Sequence, residues 1–165
     1  MKKFASQSGR LLAAVLAASI ALIGTSAEAR RGEDGRRNGE GRRSEGGVHV
    51  NVDVNEQMMD VYVDGRLRHR WPVSTGRDGF DTPSGTYRPQ RLEKQWFSKQ
   101  YDGAPMPNAV FFHNGYAIHG TNDTRRLGRQ ASHGCVRLHP RAAAELFDLV
   151  EDHGSSHTRI TIQND

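Results

Sequence analysis

Residues 119–138, HGTNDTRRLGRQASHGCVRL, are the part of this sequence from which the fold and the chemistry are best inferred. They contain the only cysteine in the chain, Cys135, which ends the tetrapeptide Ser132-His133-Gly134-Cys135. A second histidine, His119, stands at the start of the stretch. A thiol, two imidazoles and glycines that free the backbone are the components of a cysteine nucleophile site.

The segments before this stretch predict strands. Alternating valines at 48–54 and an apolar run at 58–63 each predict a strand with a buried face. Asp64-Gly65 predicts a two-residue hairpin turn, followed by a return strand at 66–74 in which Pro72 suggests a sheet edge or a bulge.

The segments nearest to the cysteine predict three more strands and one helix. Two short strands, 110–113 and 116–118, flank Asn114-Gly115, and a third follows Cys135 at 136–138. Pro140 predicts a helix start, and apolar residues then recur at helical spacing up to a C-cap at Gly154.

The remaining segments of the domain predict a loop and a last strand. Residues 90–109 lack clean periodicity and predict a long aromatic loop or hairpin, a candidate lid, although Trp96 or Phe97 taken singly is expected to fill the core. A strand at 159–162 closes the domain. The sequence therefore predicts a mostly-β fold with one main helix near its C-terminal end.

The charge distribution separates the ends of the chain from the domain. The net charge is +4, yet residues 48–165 carry fourteen basic and fourteen acidic side chains. A nucleic-acid-binding domain would be expected to have a basic face. The balanced domain therefore argues against nucleic acid as a partner.

The first 47 residues predict export. Residues 1–29 combine a basic start, an apolar run at 11–24 and the small-x-small site Ala27-Glu28-Ala29, which is typical of a cleavable signal peptide. The apolar run is shorter than the roughly 20 residues that span a bilayer, so no stable membrane anchor is expected after cleavage. Residues 30–47 have no apolar side chain and predict a disordered linker rich in Arg, Gly and Glu. A periplasmic or cell-envelope location is expected.

The expected export affects how the single cysteine is interpreted. Exported proteins tend to use cysteines in pairs, so a single one suggests a free reactive thiol. An inert buried cysteine is the alternative. The polar and flexible neighbours His133, Gly134 and Arg137 favour the reactive thiol.

The spacing leaves the general base undecided. His133 leaves an extended segment on the same face as Cys135, whereas His119 ends a neighbouring predicted strand. The base could be oriented by the backbone carbonyl of Gly120 or by the carboxylate of Asp123. The amides of His133, Gly134 and Cys135 could stabilise an oxyanion.

The same stretch has two other possible interpretations, a zinc site and a purely structural role. His119, His133, Cys135 and His139 could ligate zinc, but the His-x-Cys spacing is not a familiar zinc motif and the helix start at Pro140 is expected to point His139 away. A purely structural role would not require so many His, Gly and Cys residues together. A cysteine nucleophile is therefore favoured over both.

These residues resemble the L,D-transpeptidase catalytic domain of the YkuD type. The resemblance covers residues 48–165 and is most specific at the segments 118–122, IHGTN, and 132–138, SHGCVRL. Weaker support comes, in family order, from three further segments: VSTG at 73–76, TPSGTY at 82–87 and Met106-Pro107.

The resemblance implies a β-sandwich and a set of site residues. Cys135 matches the nucleophile and His119 the general base, oriented by the Gly120 carbonyl. His133 and Gly134 match the residues around the oxyanion. Arg137, Ser132 and Met106 match substrate-binding positions.

The resemblance also implies a reaction. Related enzymes release a terminal D-alanine from a peptidoglycan stem peptide, form a cysteine thioester and transfer the acyl group to an amine, and carbapenems typically acylate the same thiol. The resemblance implies that no metal or organic cofactor takes part. The sequence is therefore interpreted as an exported L,D-transpeptidase that cross-links or remodels the cell wall. A cysteine carboxypeptidase or amidase acting on the same peptides, or a non-catalytic wall-binding module, remains an alternative.

Overall fold

Two β-sheets form the described part of the chain, which in this computed structural model is residues 46–164. One sheet has five strands in the order β3-β2-β1-β9-β4, and the other has four in the order β5-β6-β7-β8. The strands are β1 (Val48–Asp53), β2 (Met58–Val63), β3 (Arg66–Pro72), β4 (Gly85–Tyr87), β5 (Arg91–Glu93), β6 (Ala109–His113), β7 (Tyr116–Gly120), β8 (Val136–Leu138) and β9 (Thr158–Gln163). One α-helix, α1 (Pro140–His153), and two short 3₁₀ helices complete the described elements.

Two tight hairpins set the register of the early strands in each sheet. Asp64 and Gly65 join β2 to β3 with φ values of 51° and 77°, and Asn114 and Gly115 join β6 to β7 with φ values of 38° and 88°. Positive φ at both central residues is the requirement of a type I′ hairpin turn, which Asn-Gly and Asp-Gly satisfy best. Both predicted turns are therefore confirmed, and Pro72 ends β3 at the edge of its sheet.

The main core lies between the two sheets and α1. The valines that alternate along β1 are fully buried, and they pack in one cluster with the apolar side of α1. His139 caps the helix by accepting a hydrogen bond from the Arg141 amide, and Gly154 ends it with a φ of 82°. The predicted helix is confirmed, and its apolar stripe belongs to the core.

The four-stranded sheet is buried on both faces, and this places the site. Val110, Phe112 and Ile118 face the main core. Ala109, Phe111 and Ala117 face the other way into a second, smaller cluster that includes Met106 and against which Trp96 and Cys135 pack. Cys135 and, by the alternation along β7, His119 therefore lie on the sheet face that is turned away from the main core.

The structure adds two strands that the sequence did not predict, and it corrects one residue. The short strands β4 and β5 lie at the edges of the two sheets, in turn-rich sequence that has no clear alternation. Phe97 is 61% exposed, so the expectation that it fills the core is wrong, whereas the neighbouring Trp96 does pack on the second cluster. The two rings follow one another in a β-bridged loop, where Phe97 pairs with Pro105, so they point to opposite sides.

The predicted signal peptide and most of the predicted linker lie outside the described residues. Gly47, at the end of the predicted linker, is among the described residues and packs on the domain. Its amide donates to the Asp64 carboxylate at 2.9 Å, and its carbonyl accepts from the Asp64 amide at 2.9 Å. Across residues 46–164, no helix has the length and apolar character needed to cross a membrane.

Candidate active site

Parallel pairing of β7 and β8 brings the two ends of the segment 119–138 together. Ile118 pairs with Val136 and faces the core, so the next pair, His119 and Arg137, faces away from it. Cys135 stands two residues before Arg137 and shares its face. His119, Cys135 and Arg137 consequently line one cavity of about 590 Å³.

The imidazole of His119 is oriented by its own strand. Its Nδ1 lies 2.8 Å from the carbonyl oxygen of Gly120, which as an acceptor requires that Nδ1 carry the proton. Nε2 then holds the lone pair. The side chain is buried, and burial lowers the pKa of His119 to about 4. His119 is therefore a neutral imidazole at physiological pH, with Nε2 available as a proton acceptor.

The imidazole of His133 is held in a different way. The guanidinium Nη2 of Arg77 lies 2.7 Å from Nε2 of His133. Because a guanidinium only donates, Nε2 must be the acceptor, and the neutral ring then carries its proton on Nδ1. Partial burial, followed by the charges of Arg77 and Arg137, lowers the pKa of His133. The ring nitrogen that could accept a proton is thus already engaged, which leaves His119 as the better-placed base.

The Cys135 thiol is partly buried against the second apolar cluster. Burial raises its pKa, while a backbone hydrogen bond at Ala117 and the charge of Arg137 oppose that rise. The directions of the two pKa shifts favour the uncharged thiol of Cys135 and the uncharged imidazole of His119 over a thiolate–imidazolium ion pair.

A tight turn holds the backbone before the cysteine. The Ser132 hydroxyl donates to the Cys135 carbonyl at 2.6 Å and accepts from the Gly134 amide at 3.0 Å. Gly134 has a φ of 108°, and a Cβ added there would lie 2.5 Å from a ring carbon of Tyr116. Only glycine fits this position. The engaged Gly134 amide also narrows the expected set of oxyanion donors to the amides of His133 and Cys135.

Buried hydroxyl and amide groups of the segment 74–82 support this turn. The Thr82 hydroxyl donates to the Gly134 carbonyl at 2.8 Å and accepts from the Gly76 amide at 2.9 Å. Gln57 holds the residue before Gly76, with its side-chain oxygen 2.9 Å from the Thr75 amide. No sequence pattern singles out Thr82 or Gln57, because their hydrogen-bond partners lie 52 and 18 positions away.

The other expected substrate-binding residues also line the cavity. Ser132, Arg137 and Met106 all contribute to its wall. Asp123 lies there too, but its carboxylate pairs with Arg126 at 3.1 Å. The carboxylate alternative for orienting His119 is therefore replaced by the Gly120 carbonyl.

The loop at 94–108 forms one side of the cavity. Ser98, Gln100, Tyr101, Asp102, Ala104 and Pro105 all line it. The Tyr101 ring stacks on the His133 ring with centroids 4.5 Å apart, so the loop rests directly on the site. This placement agrees with the expected lid position, although the sequence did not identify Tyr101 as the contact residue.

The zinc alternative has no geometric support in the part of the chain that the structure covers. No group of three or more His, Cys, Asp or Glu side chains in residues 46–164 is arranged to hold a metal ion. His139, one of the four residues considered, instead uses its Nδ1 to cap α1, 3.3 Å from the Arg141 amide.

Comparison with known proteins gives close agreement on the family. The YkuD profile, described as the L,D-transpeptidase catalytic domain, matches residues 32–162. The protein YkuD of Bacillus subtilis is 27% identical over 114 residues, which are 69% of this chain and 65% of that relative. The chain thus spans just under two thirds of the length of that relative.

Solved structures agree. An L,D-transpeptidase from Stackebrandtia nassauensis is 27% identical with a TM-score of 0.64, over 72% of this chain and 56% of its own. L,D-transpeptidase 3 from Mycobacterium tuberculosis, solved in complex with a faropenem-derived adduct, is 21% identical and shares the fold with a TM-score of 0.60, over 71% of this chain and 60% of its own. Since the family profile covers most of the sequence and the sandwich matches, the chain belongs to the YkuD family of L,D-transpeptidase catalytic domains.

Proposed function

We propose that this protein is an exported L,D-transpeptidase that acts on peptidoglycan stem peptides through a covalent Cys135 intermediate. The observation that carries the proposal is that a candidate base and the only thiol of the chain line one cavity. His119 is fixed through Nδ1 by the Gly120 carbonyl, so its lone pair is on Nε2, and the only thiol of the chain lines the same cavity. A nucleophile, a base and a group that orients the base are the three parts of an activated cysteine site.

The acylation half-reaction follows from the protonation states. As Cys135 Sγ attacks the carbonyl carbon before the terminal D-alanine, His119 Nε2 takes the thiol proton. The carbonyl becomes an oxyanion, and we assign the amides of His133 and Cys135 as its hydrogen-bond donors. When the C–N bond breaks, His119 returns the proton to the leaving amine, so that D-alanine departs neutral at nitrogen and a thioester remains on Cys135.

The second half-reaction reverses these roles. An acceptor amine attacks the thioester carbonyl, and His119 removes a proton from the attacking nitrogen. The C–S bond then breaks, and His119 returns a proton to sulfur, which restores the thiol. The new bond is an amide between the acyl donor and the acceptor, which cross-links two stem peptides when the acceptor is a second stem. Water in place of the amine would give the carboxypeptidase reaction.

The wall of the cavity suits an anionic peptide. Arg137 supplies a cationic group on the same face as Cys135, and Met106 with the second apolar cluster supplies an apolar floor. Stem peptides carry carboxylates beside the bond to be cleaved, and a guanidinium binds a carboxylate in a fixed geometry. We assign Arg137 to that contact.

Export is proposed from the first 29 residues. Their basic start, apolar run and Ala27-Glu28-Ala29 site predict cleavage after Ala29. The intact mass and N-terminal sequence of the protein recovered from the cell envelope test this. A protein that retains Met1 in the envelope would contradict it.

The reaction is tested with the whole secreted chain and a disaccharide-tetrapeptide. Mass spectrometry is expected to show a cross-linked dimer with loss of D-alanine, and neither product in Cys135→Ala. His157→Ala, which changes an exposed histidine outside this cavity, is the matched control and should keep full activity. Tripeptide without dimer would support the carboxypeptidase alternative. A folded protein that binds the peptide but forms no thioester, dimer or tripeptide would leave the wall-binding alternative.

A further inference from the structure

The ring of His133 is held from three sides by residues that lie far away in sequence. Arg77 donates to its Nε2 at 2.7 Å. Tyr101 stacks on the ring, with centroids 4.5 Å apart and an angle of 23°, and Phe80 meets it edge-on, with centroids 4.8 Å apart. Arg77 also contacts Phe80, with its guanidinium carbon 4.7 Å from the centroid of that ring.

These contacts fix both the plane and the tautomer of the ring. Stacking and edge contacts prefer defined ring orientations, so Tyr101 and Phe80 restrict the rotation of the imidazole. The guanidinium forces Nε2 to be the acceptor and Nδ1 to carry the proton. No group within residues 46–164 forms a hydrogen bond with that Nδ1–H, and His133 lines the cavity. The site therefore has an oriented donor without a protein acceptor.

We propose that Arg77 is a positioning residue that holds His133 as the Nδ1–H tautomer, so that this ring donates a hydrogen bond to a carbonyl of the bound acyl donor. The inference rests on the proposed function for the identity of the ligand. The opposite tautomer would present a lone pair where the peptide presents its carbonyl oxygen, and two acceptors repel. Without Arg77, the imidazole of His133 would interconvert between the two tautomers. Part of the free energy of binding the acyl donor would then be lost.

The arrangement also assigns the two histidines to different tasks. His119 has its proton on Nδ1 against a backbone carbonyl and an open Nε2, so it accepts. His133 has an engaged Nε2 and an open Nδ1–H, so it donates. Arg77, 56 positions before His133 and exposed, is the residue that makes this difference.

Nitrogen-15 NMR of the imidazoles tests the tautomer directly and needs no turnover. In the wild-type protein, long-range proton–nitrogen spectra are expected to show His133 with a protonated Nδ1 and an unprotonated Nε2. In Arg77→Ala the two nitrogens should shift toward averaged values. Arg77→Lys, whose ammonium can still donate to Nε2, should retain most of the wild-type pattern. An Nε2–H tautomer in the wild type, or the same pattern in Arg77→Ala, would overturn the proposal.

Calorimetric binding of the disaccharide-tetrapeptide then tests the donor role. It is measured in the Cys135→Ala background, where the acyl donor cannot react. Adding Arg77→Ala is expected to weaken binding roughly tenfold, as for a lost hydrogen bond to a positioned group. Arg77→Lys should recover binding to within about threefold, and Arg68→Ala, which removes an exposed arginine of β3, should leave it unchanged. Unchanged binding in Arg77→Ala would contradict the donor role.

The two measurements separate this proposal from the proposed function. If the wild type forms no thioester yet shows the Nδ1–H tautomer and Arg77-dependent binding, the reaction is wrong and the positioning role stands. If the thioester forms while tautomer and binding ignore Arg77, the positioning role falls and the reaction stands. Amide spectra of each variant confirm that it is folded.

Discussion

At the scale of single residues, two histidines of the same stretch are made different by one hydrogen bond each. The Gly120 carbonyl fixes His119 with a free Nε2, and the Arg77 guanidinium fixes His133 with an engaged Nε2. Spacing along the sequence could not make this distinction, since both rings were plausible partners of Cys135. The family resemblance favoured His119, and the geometry supplies the physical reason.

The lowered pKa of His119 predicts an unusual pH profile. A base with a pKa of about 4 stays unprotonated, and therefore active, down to about pH 5. Carbapenem acylation of Cys135, followed by intact mass, should lose half its rate near pH 4, whereas an ordinary histidine would lose half near pH 6.5.

The control for this profile is His119→Gln, which keeps the size and polarity of the side chain and removes the base. We expect it to lower the acylation rate by a factor on the order of 10²–10⁴ at every pH above 5. A wild-type acid limb near pH 6.5, or a His119→Gln variant with the wild-type rate, would be inconsistent with a buried neutral base.

Gly134 and Gly128 form a matched pair for testing the turn before the cysteine. Both have positive φ, 108° and 83°, but an added Cβ would clash with Tyr116 at Gly134 and meet nothing within 4 Å at Gly128. Gly128→Ala should cost about 1 kcal/mol of unfolding free energy, from backbone strain alone. Gly134→Ala should cost several times more and abolish activity. Denaturant unfolding measures both, and equal costs would contradict this account of the turn.

At the scale of elements, the turn before Cys135 depends on the segment at 74–82. Thr82 connects Gly76 to Gly134 through one hydroxyl, with bonds of 2.9 and 2.8 Å. Residues 74–82 lie between β3 and β4 and belong to no strand or helix, and their polar groups hold the backbone of residues 132–135 in place. Such long-range polar contacts leave no periodic signal in a sequence.

Thr82→Val tests this support because it keeps the shape and removes the hydroxyl. The Gly76 amide and the Gly134 carbonyl would both lose a buried partner, which we expect to cost about 1–3 kcal/mol of unfolding free energy and to slow acylation of Cys135. Thr86→Val, at an exposed position of β4, is the control. Thermal unfolding and the acylation rate are the measurements, and an unaltered acylation rate in Thr82→Val would show that the turn does not need the hydroxyl.

Sequence patterns predicted some elements far better than others. Strands with a strict alternation, such as β1, and turns with a required φ, such as Asp64-Gly65, were predicted within a residue or two. β4 and β5 were missed because each is three residues long and is held by its neighbours rather than by its own periodicity. Phe97 was misplaced because apolar character alone does not say which side of a loop faces solvent.

At the scale of the molecule, the same β-sandwich forms the main core on one side and the candidate site on the other. Its inner side forms the main core with α1, and the outer face of the four-stranded sheet carries the second cluster and the cavity lined by His119 and Cys135. The parallel pairing of β7 with β8 was not evident from the sequence, yet it sets the register of His119 against Arg137. The mostly-β class was predictable from alternation, whereas the strand order was not.

Leu146 of α1 tests how far the fold depends on the shared core. Its side chain is 1% exposed in the main cluster, so Leu146→Ala should lower the unfolding free energy by about 2–5 kcal/mol. Leu67, 51% exposed on β3, gives the matched control, and Leu67→Ala should change it by less than about 0.5 kcal/mol. Urea unfolding of both variants decides the point, and similar costs would contradict a core centred on α1.

The central claim is that Cys135 becomes covalently acylated with His119 as its base, and intact-protein mass spectrometry tests it most directly. After brief incubation with disaccharide-tetrapeptide or a carbapenem, the wild-type chain should gain the mass of the acyl group on Cys135. Cys135→Ala should gain nothing, and His119→Gln should gain it far more slowly. A wild-type protein that stays unmodified while folded, or an adduct that persists in Cys135→Ala, would contradict the account.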